Sequence, residues 1–214
     1  PAMTNIVKSF ATVDPFDGMT AAAPAQAQNL VGGQWVSTDR TMTVPDPLNG
    51  EAFIEMPDTQ DIAPFVAGLR GCPKTGLHNP LKNVERYVHL GRVCARASAL
   101  LAEQEVEDFF TRLIQRVMPK SWNQARGEVL ITRTFLENFS GDGVRFLARG
   151  FSNPGDRTGQ QSNGYRWPYG PVVLIAPFNF PLEIPALQVM GALFMGNRPL
   201  VKIDSKVSIV FEQF

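Results

Sequence analysis

The sequence predicts an α/β fold in which N-terminal hairpins and helices lead into the first βαβ unit of a Rossmann-like parallel sheet. Three patterns support this fold class: glycine-marked hairpins over residues 30–57, helical spacing over 84–139, and strand, helix and strand signals over 171–205. Two short apolar runs that bracket an apolar helix favour a parallel pair, because parallel strands need a crossover connection.

The first part of the chain combines an irregular segment with two predicted hairpins. Residues 1–28 are rich in Ala, Pro, Thr and Gln and have little periodicity, which is typical of an arm or linker. Each hairpin is marked by a pair of residues that tolerates positive φ, Gly32-Gly33 in the first and Asn49-Gly50 in the second. The strands expected around these turns are 30–31 with 34–36, and 43–44 with 51–54.

Three helices are predicted next. The first has apolar residues at spacings of three or four from Val84 to Leu101, and the third begins near Ser121 and reaches Phe139. The second has the clearest amphipathic stripe. Its apolar residues are Val106, Phe109, Phe110, Leu113, Ile114 and Val117. With the hairpins, these helices form the predicted N-terminal part of a cofactor-binding domain, residues 29–149.

Residues 150–168 separate the helices from the sheet. They are rich in Gly, Asn, Ser and Pro, which favours a loop or an exposed strand pair. An exposed strand edge invites pairing with a second chain. We therefore expect this segment to take part in oligomerisation, with a plain surface loop as the alternative.

Residues 169–214 hold the predicted βαβ unit. The apolar strands are expected at 172–176 and 200–203, with an apolar helix over 182–195 between them. A continuous apolar run is typical of a parallel strand buried on both faces. Asp204-Ser205 is the expected N-cap of a further helix.

Composition excludes several classes of protein. With 44% hydrophobic and 19% charged residues the chain is globular, and with 20 basic and 20 acidic residues it has no net charge to attract nucleic acid or an anionic membrane. Two cysteines and two histidines argue against a disulfide framework or a zinc site, and indicate a reducing compartment. No apolar run is long enough to span a bilayer. Residues 1–30 hold one Lys and no Arg, so no transit peptide is apparent there.

Ligands of a βαβ unit bind at the carboxyl ends of its strands, and two stretches are predicted to lie there. Residues 176–181 follow the first strand, and residues 202–205 end the second. The first turn lacks the G-x-G-x-x-G pattern, so the usual phosphate clamp of a Rossmann fold is not predicted.

Several motifs resemble the aldehyde dehydrogenase family in content, order and spacing. Residues 166–170 read RWPYG, residues 177–181 read PFNFP and residues 192–202 read ALFMGNRPLVK. Upstream, residues 31–35 (VGGQW) and 46–51 (DPLNGE) are similar to the family's opening hairpins. The resemblance covers residues 30–205 and implies the opening part of the aldehyde dehydrogenase fold.

The residues within and around these motifs resemble the plant-type mitochondrial pyrroline-5-carboxylate dehydrogenase branch of that family. Residues 162–170 (SNGYRWPYG) and 177–185 (PFNFPLEIP) carry this resemblance, with 72–74 (CPK) and 78–83 (HNPLKN) in support. It implies NAD-dependent oxidation of glutamate semialdehyde to glutamate in proline breakdown. It also implies a homo-oligomer in the mitochondrial matrix.

The resemblance assigns roles to residues at the predicted sheet edge. Asn179 is the implied stabiliser of the oxyanion that forms when a thiolate adds to the aldehyde. The implied cofactor-binding residues are Ile175, Ala176, Pro177, Phe178, Lys202, Asp204 and Ser205. Each has a structural alternative: an Asn in a turn, a strand-end Lys, a helix cap or core packing.

Two departures from the family pattern bear on the cofactor and on activity. Lys202-Ile203 replaces the commoner Lys-Pro, and Asp204 or Ser205 stands where many relatives use a Glu to hold the adenosine ribose, so NADP remains an alternative to NAD. The family's nucleophilic Cys and general-base Glu are expected beyond Phe214. Residues 1–214 alone are therefore expected to be inactive. The alternative is a truncated, non-catalytic protein that binds nucleotide or pairs with full-length subunits, and a transcript that ends at Phe214 favours it.

Overall fold

The fold is taken from a computed structural model, which describes residues 3–73, 76–77, 79, 85–140, 144–145 and 149–214. The helices in these ranges are α1 Asn5–Lys8, α2 Ala63–Arg70, α3 Glu85–Leu101, α4 Gln104–Val117, α5 Trp122–Ser140, α6 Glu183–Phe194 and α7 Ser208–Gln213. The strands are β1 Ala25–Gln26, β2 Asn29–Val31, β3 Gln34–Val36, β4 Thr41–Pro45, β5 Ala52–Pro57, β6 Phe151–Pro154, β7 Gln161–Gly164, β8 Pro171–Ile175 and β9 Arg198–Lys202. They pair in the orders β1-β5-β4, β2-β3, β6-β7 and β8-β9.

The core is centred on α4, which packs between α5 and the N-terminal segment. Phe109, Leu113 and Ile114 are fully buried, as is Val129 on α5. The amphipathic stripe predicted for α4 is thereby confirmed. Burying each such side chain stabilises the fold by about 1.5–3 kcal/mol relative to leaving it in water. The start of α3 predicted at Val84 lies outside the described residues.

The segment predicted to be an arm or linker lies against this core. Val7, Val13 and Met19 are buried, and the Phe10 ring meets Phe109 edge-on at 5.6 Å between centroids. β1 pairs in parallel with β5, so the segment also adds a strand to the first sheet. These contacts are made with residues far along the chain, and local periodicity does not report them.

Both predicted hairpins form. β2 pairs with β3 across Gly32-Gly33, and β4 pairs with β5 in antiparallel register. The second connection is longer than its Asn-Gly pair suggests, because Asp46 closes it: the Asp46 N–H donates to the Glu51 carbonyl at 2.7 Å and the Asp46 carbonyl accepts the Gly50 N–H at 2.8 Å. Gly50 has a φ of 79°, a conformation that glycine adopts at little cost.

The βαβ unit forms as predicted. β8 and β9 are adjacent and parallel, with Val173 opposite Leu200. α6 crosses between them and ends before Gly196, whose φ of 86° is the left-handed conformation common after a helix.

The expectation that the first strand of this unit is buried on both faces is wrong. Val173 is 59% exposed and Ile175 is 73% exposed, whereas Val172 and Leu174 are partly buried. Successive side chains of a strand point to opposite faces, and α6 contacts the unit from one side. On β8 the side chains of the other face are exposed, whereas β9 is also contacted by α2 and is partly buried from Arg198 to Val201.

The helix cap predicted at Asp204-Ser205 is also wrong. α7 begins at Ser208, and the N-cap residue Val207 that precedes it offers no side-chain cap. Asp204 instead stabilises a turn ahead of the helix, where its Oδ1 accepts the Lys206 N–H at 3.0 Å. Asp side chains form such turns readily because the carboxylate reaches the backbone two residues on.

Residues 150–168 contain the exposed strand pair that the sequence favoured. β6 and β7 are antiparallel, with Phe151 opposite Gly164 and Pro154 opposite Gln161. All four residues of β6 are exposed, including Phe151 at 66%. The hairpin therefore presents an apolar ring and an open strand edge to solvent.

Candidate active site

The carboxyl ends of β8 and β9 lie side by side. Ile175 is the register partner of Lys202, and the Ala176 N–H donates to the Lys202 carbonyl at 3.0 Å. The residues that follow the two strands therefore share one edge of the sheet. This edge brings together the two stretches singled out from the sequence, 176–181 and 202–205.

The turn after β8 presents Asn179 at this edge. Residues 177–180 are exposed, with Phe178 at 51% and Phe180 at 39%. Pro177 and Pro181 bracket the turn and restrict its backbone, since proline fixes φ. The Asn179 carbonyl oxygen accepts a hydrogen bond of 2.6 Å from Lys120 Nζ.

Lys120 reaches the turn from the link between α4 and α5. Its ammonium group also forms an ion pair of 2.8 Å with Glu128 on α5 and lies 4.2 Å from the centroid of the Phe180 ring. The Lys120 side chain is 13% exposed and that of Glu128 is completely buried. Such a pair interacts much more strongly than an exposed one, because the low dielectric around it screens little.

The second carboxylate oxygen of Glu128 holds the start of α6. Glu128 Oε1 accepts the N–H of Leu182 at 2.8 Å and that of Glu183 at 3.2 Å. Leu182 itself provides no side-chain cap. Because the first amides of a helix lack partners within it and carry a partial positive charge, a carboxylate there is stabilising.

Sequence reasoning missed both Lys120 and Glu128, although one signal was present. Glu128 stands on the buried stripe of α5, three residues after Ala125 and beside Val129. A carboxylate at an apolar stripe position predicts a buried polar contact, because an unpaired buried charge is costly. The identity of its partners could not be read from local spacing.

Burial and charge at this point alter the protonation of Glu183. Desolvation raises the pKa of the Glu183 carboxyl above its usual value, the nearby negative charge of Glu128 raises it further, and Lys120 acts in the opposite direction. Burial is the main cause of this pKa shift, and the two charges of the Lys120–Glu128 pair add opposing effects at the start of α6.

The residues after β9 form the second half of the edge. Lys202 is exposed, and its Nζ donates to the Ile203 carbonyl at 2.6 Å. Asp204 and Ser205 are partly buried in the turn before α7. Lys206, which the sequence did not single out, lies 5.9 Å from the centroid of the Phe178 ring and so connects the two halves of the edge.

Comparison with known proteins identifies the family. The model of the aldehyde dehydrogenase family matches residues 84–214, which is more than half of the chain. The chain belongs to the aldehyde dehydrogenase family. The matched region contains α3 to α7 and the whole of the candidate site.

Two curated members of the family are similar over almost the whole chain. Delta-1-pyrroline-5-carboxylate dehydrogenase 12A1, mitochondrial, of Arabidopsis thaliana is 58% identical over 206 residues, which cover 95% of this chain and 37% of that protein. A probable aldehyde dehydrogenase of Linum usitatissimum is also 58% identical, with the same coverage of both chains. The chain therefore spans little more than a third of the length of these relatives.

Solved structures of the family share the fold. The crystal structure of a NAD-dependent benzaldehyde dehydrogenase from Corynebacterium glutamicum superposes with a TM-score of 0.71 at 23% identity. The match covers 94% of this chain and 39% of that one. The aldehyde dehydrogenase fold, represented here by its hairpins, helices and first βαβ unit, is thereby confirmed.

Both cysteines of this chain are buried, and neither belongs to the segments that form this edge. Cys94 is fully buried on α3, and burial raises the pKa of its thiol to about 11. Cys72 is buried in a free form, in a segment whose Gly71 lies beside Arg198 at the opposite end of β9. Cys94 therefore behaves as a small buried hydrophobe.

The described part of the chain offers little else for chemistry. Its His, Cys, Asp and Glu residues form no group of three or more that could hold a metal ion. Its helices include none long and apolar enough to cross a membrane. His89 is exposed, and His78 lies outside the described residues.

Proposed function

We propose that this chain supplies the oxyanion donor and part of the cofactor floor of an NAD-dependent aldehyde dehydrogenase that oxidises glutamate semialdehyde to glutamate in proline breakdown. Family membership and 58% identity to the Arabidopsis thaliana enzyme support this assignment. The observation that carries it is the meeting of Asn179 and Lys202 at one sheet edge, since parallel α/β sheets bind ligands there.

Asn179 is the proposed oxyanion donor. When a thiolate adds to the aldehyde carbon, negative charge develops on the carbonyl oxygen, and a fixed amide N–H stabilises that charge more than it stabilises the neutral aldehyde. Two observations suit Asn179 to this role: it is exposed at the edge, and its backbone is fixed by Lys120.

The exposed surface of this edge suits a dinucleotide. Lys202 offers an exposed ammonium group as a donor to ribose hydroxyls, and Ile175 and Phe178 offer exposed apolar surface to the nicotinamide side. Ala176, Pro177, Asp204 and Ser205 complete the proposed floor. When bound, NAD accepts the hydride that leaves the substrate carbon. The family's thiolate and general base are assigned to the portion of the relatives that this chain does not match.

Assembly and location are part of the proposal. The open edge of the β6–β7 hairpin supports pairing with a second copy of the protein through residues 150–168. The mitochondrial name of the Arabidopsis thaliana relative supports the mitochondrial matrix as the site of action.

The test is turnover by the full-length protein, meaning the complete natural product that contains these 214 residues. Reduction of NAD is followed by absorbance with glutamate semialdehyde and, as a control, with butyraldehyde, which lacks the amino and carboxylate groups. We expect kcat/KM to be highest for glutamate semialdehyde with NAD. A higher value for butyraldehyde, or for NADP as cofactor, contradicts the substrate or cofactor assignment respectively.

A further inference from the structure

One buried ion pair contacts the turn at Asn179 and the start of the helix that follows it. Lys120 donates to the Asn179 carbonyl at 2.6 Å, and Glu128 accepts the N–H groups of Leu182 and Glu183. The two side chains are joined at 2.8 Å. Three backbone atoms are therefore tied to the link before α5 and to α5 itself: the carbonyl oxygen of Asn179 and the N–H groups of Leu182 and Glu183.

Stability alone is a weak reason for such a pair. Removing two charges from water costs several kcal/mol per ion, and apolar replacements for a buried pair are often neutral or stabilising. What the pair provides here is a fixed position. Glu128 on α5 holds the first N–H groups of α6. Lys120 holds the carbonyl of the Asn179 peptide in position relative to them.

The position of Asn179 depends on this connection because the turn has little other support. Residues 177–180 are exposed, and none of them belongs to the buried core. The Phe180 ring, which is 39% exposed, lies over the Lys120 ammonium group. Lys120 thus contacts two neighbouring residues of the turn. It donates to the carbonyl of Asn179, the proposed donor, and lies over the ring of Phe180.

We propose that Lys120 and Glu128 are positioning residues that fix Asn179 for oxyanion stabilisation. The inference rests on the proposed function, because it assigns the pair to the same site. An oxyanion donor has to be held in place before the charge develops, since its advantage comes from needing no reorganisation. A displacement of about 1 Å at a reacting centre can lower the rate by about 100-fold.

The chain contains a matched control. Arg126 on α5 pairs with buried Glu107 on α4 at 2.5 Å, with side chains 44% and 6% exposed. This pair joins the same region of the helical layer but makes no hydrogen bond to the turn in the part of the chain that the structure describes. Arg126→Met therefore removes a cation from a buried carboxylate without touching Asn179.

The experiment compares Lys120→Met with Arg126→Met in the full-length protein, with glutamate semialdehyde and NAD as substrates. We expect Lys120→Met to lower kcat by about 10- to 100-fold, as a misplaced catalytic group does, with KM for NAD unchanged. Arg126→Met should leave kcat near that of the parent. The paired variant Lys120→Met, Glu128→Gln keeps an acceptor for Leu182 without an unpaired charge, and it should show the same loss of kcat. It decides the question if Lys120→Met alone does not fold.

A double-mutant cycle separates positioning from general destabilisation. If Lys120 acts through Asn179, then Lys120→Met should lower kcat strongly in the parent and hardly at all when Asn179→Ala is already present. Equal factors with and without Asn179→Ala, or a loss no greater than that of Arg126→Met, overturn the inference alone. Absence of any kcat loss in Asn179→Ala itself overturns the proposed function, and the positioning role with it.

Discussion

Apolar residues are buried in the helical layer but partly exposed in the β8–β9 unit. On α4, Phe109, Leu113 and Ile114 are fully buried, whereas on β8 Val173 and Ile175 are mostly exposed. The stripe of α4 and the strand β8 are both apolar in sequence, so the difference comes from what covers them. The helices are packed on several sides, while the face of β8 that carries Val173 and Ile175 is left exposed. The candidate site lies in the region that stays open, at the edge where ligands of parallel sheets bind.

The largest effect expected from this difference concerns activity. A protein that consists of residues 1–214 alone should not oxidise glutamate semialdehyde, because the open edge holds Asn179 and Lys202 but neither thiol. Cys94 is fully buried in the helical layer, with the pKa of its thiol raised to about 11 by burial, and Cys72 lies near the opposite end of β9. NADH absorbance is the measurement, against a control without protein. Turnover that disappears in Cys72→Ala or Cys94→Ala contradicts the account.

The next largest difference expected between the two regions is the effect of a substitution on the free energy of unfolding. Leu113→Ala removes a fully buried side chain and should lower the free energy of unfolding by about 2–5 kcal/mol, through lost burial and a residual cavity. Ile175→Thr keeps a β-branched residue at a position that is 73% exposed, and should change the free energy of unfolding by about 0.5 kcal/mol or less. Urea titration of the two variants and the parent measures both values. A cost at Ile175 equal to that at Leu113 means that β8 is covered in solution.

A smaller, pH-dependent effect is expected where the N-terminal segment meets α7. Glu212 accepts the Gln28 N–H at 2.9 Å, and burial raises the pKa of the Glu212 carboxyl from 4.5 to about 7, with the Gln28 hydrogen bond opposing the shift. A carboxyl with a raised pKa in the folded protein favours folding at low pH. That contribution is complete below about 4.5 and is lost as the pH rises through about 7.

Glu212→Gln should therefore raise Tm at pH 8 and have much less effect at pH 5, because the amide keeps an acceptor for Gln28 but never ionises. Differential scanning calorimetry of the variant and parent at both pH values measures the difference. Glu105→Gln, at an exposed carboxylate of α4, serves as the control. An equal change in Tm at both pH values contradicts the assignment of the effect to the ionisation of Glu212.

Local sequence patterns predicted the helices and strands, but not which other elements pack against them. The stripe on α4 and the order of strand, helix and strand over 171–205 could be predicted because each depends on residues close in sequence. The exposure of Val173 could not, since it depends on which other elements lie against the sheet. The packing of Val7 and Phe10 on the core likewise depends on α4, about 100 residues later.

The same limit applies to the candidate site. The PFNFP motif and the strand-end lysine drew attention to Asn179 and Lys202, and the parallel register brings their segments together. Lys120 and Glu128 stayed hidden because their contacts with the turn span more than 50 residues. The sequence signal for this pair is the carboxylate of Glu128, which stands on the apolar stripe of α5.

The central claim, that Asn179 stabilises the oxyanion and Lys202 binds the cofactor, is tested most directly by comparing two variants of the full-length protein. Asn179→Ala should lower kcat by about 100- to 1,000-fold, as loss of an oxyanion donor does, with little change in KM for NAD. Lys202→Ala should raise KM for NAD with kcat largely retained, because a ribose contact is made in the ground state and the transition state alike. Steady-state kinetics over both substrates give all four values. Loss of kcat in Lys202→Ala together with a pure KM effect in Asn179→Ala would reverse the two roles and contradict the account.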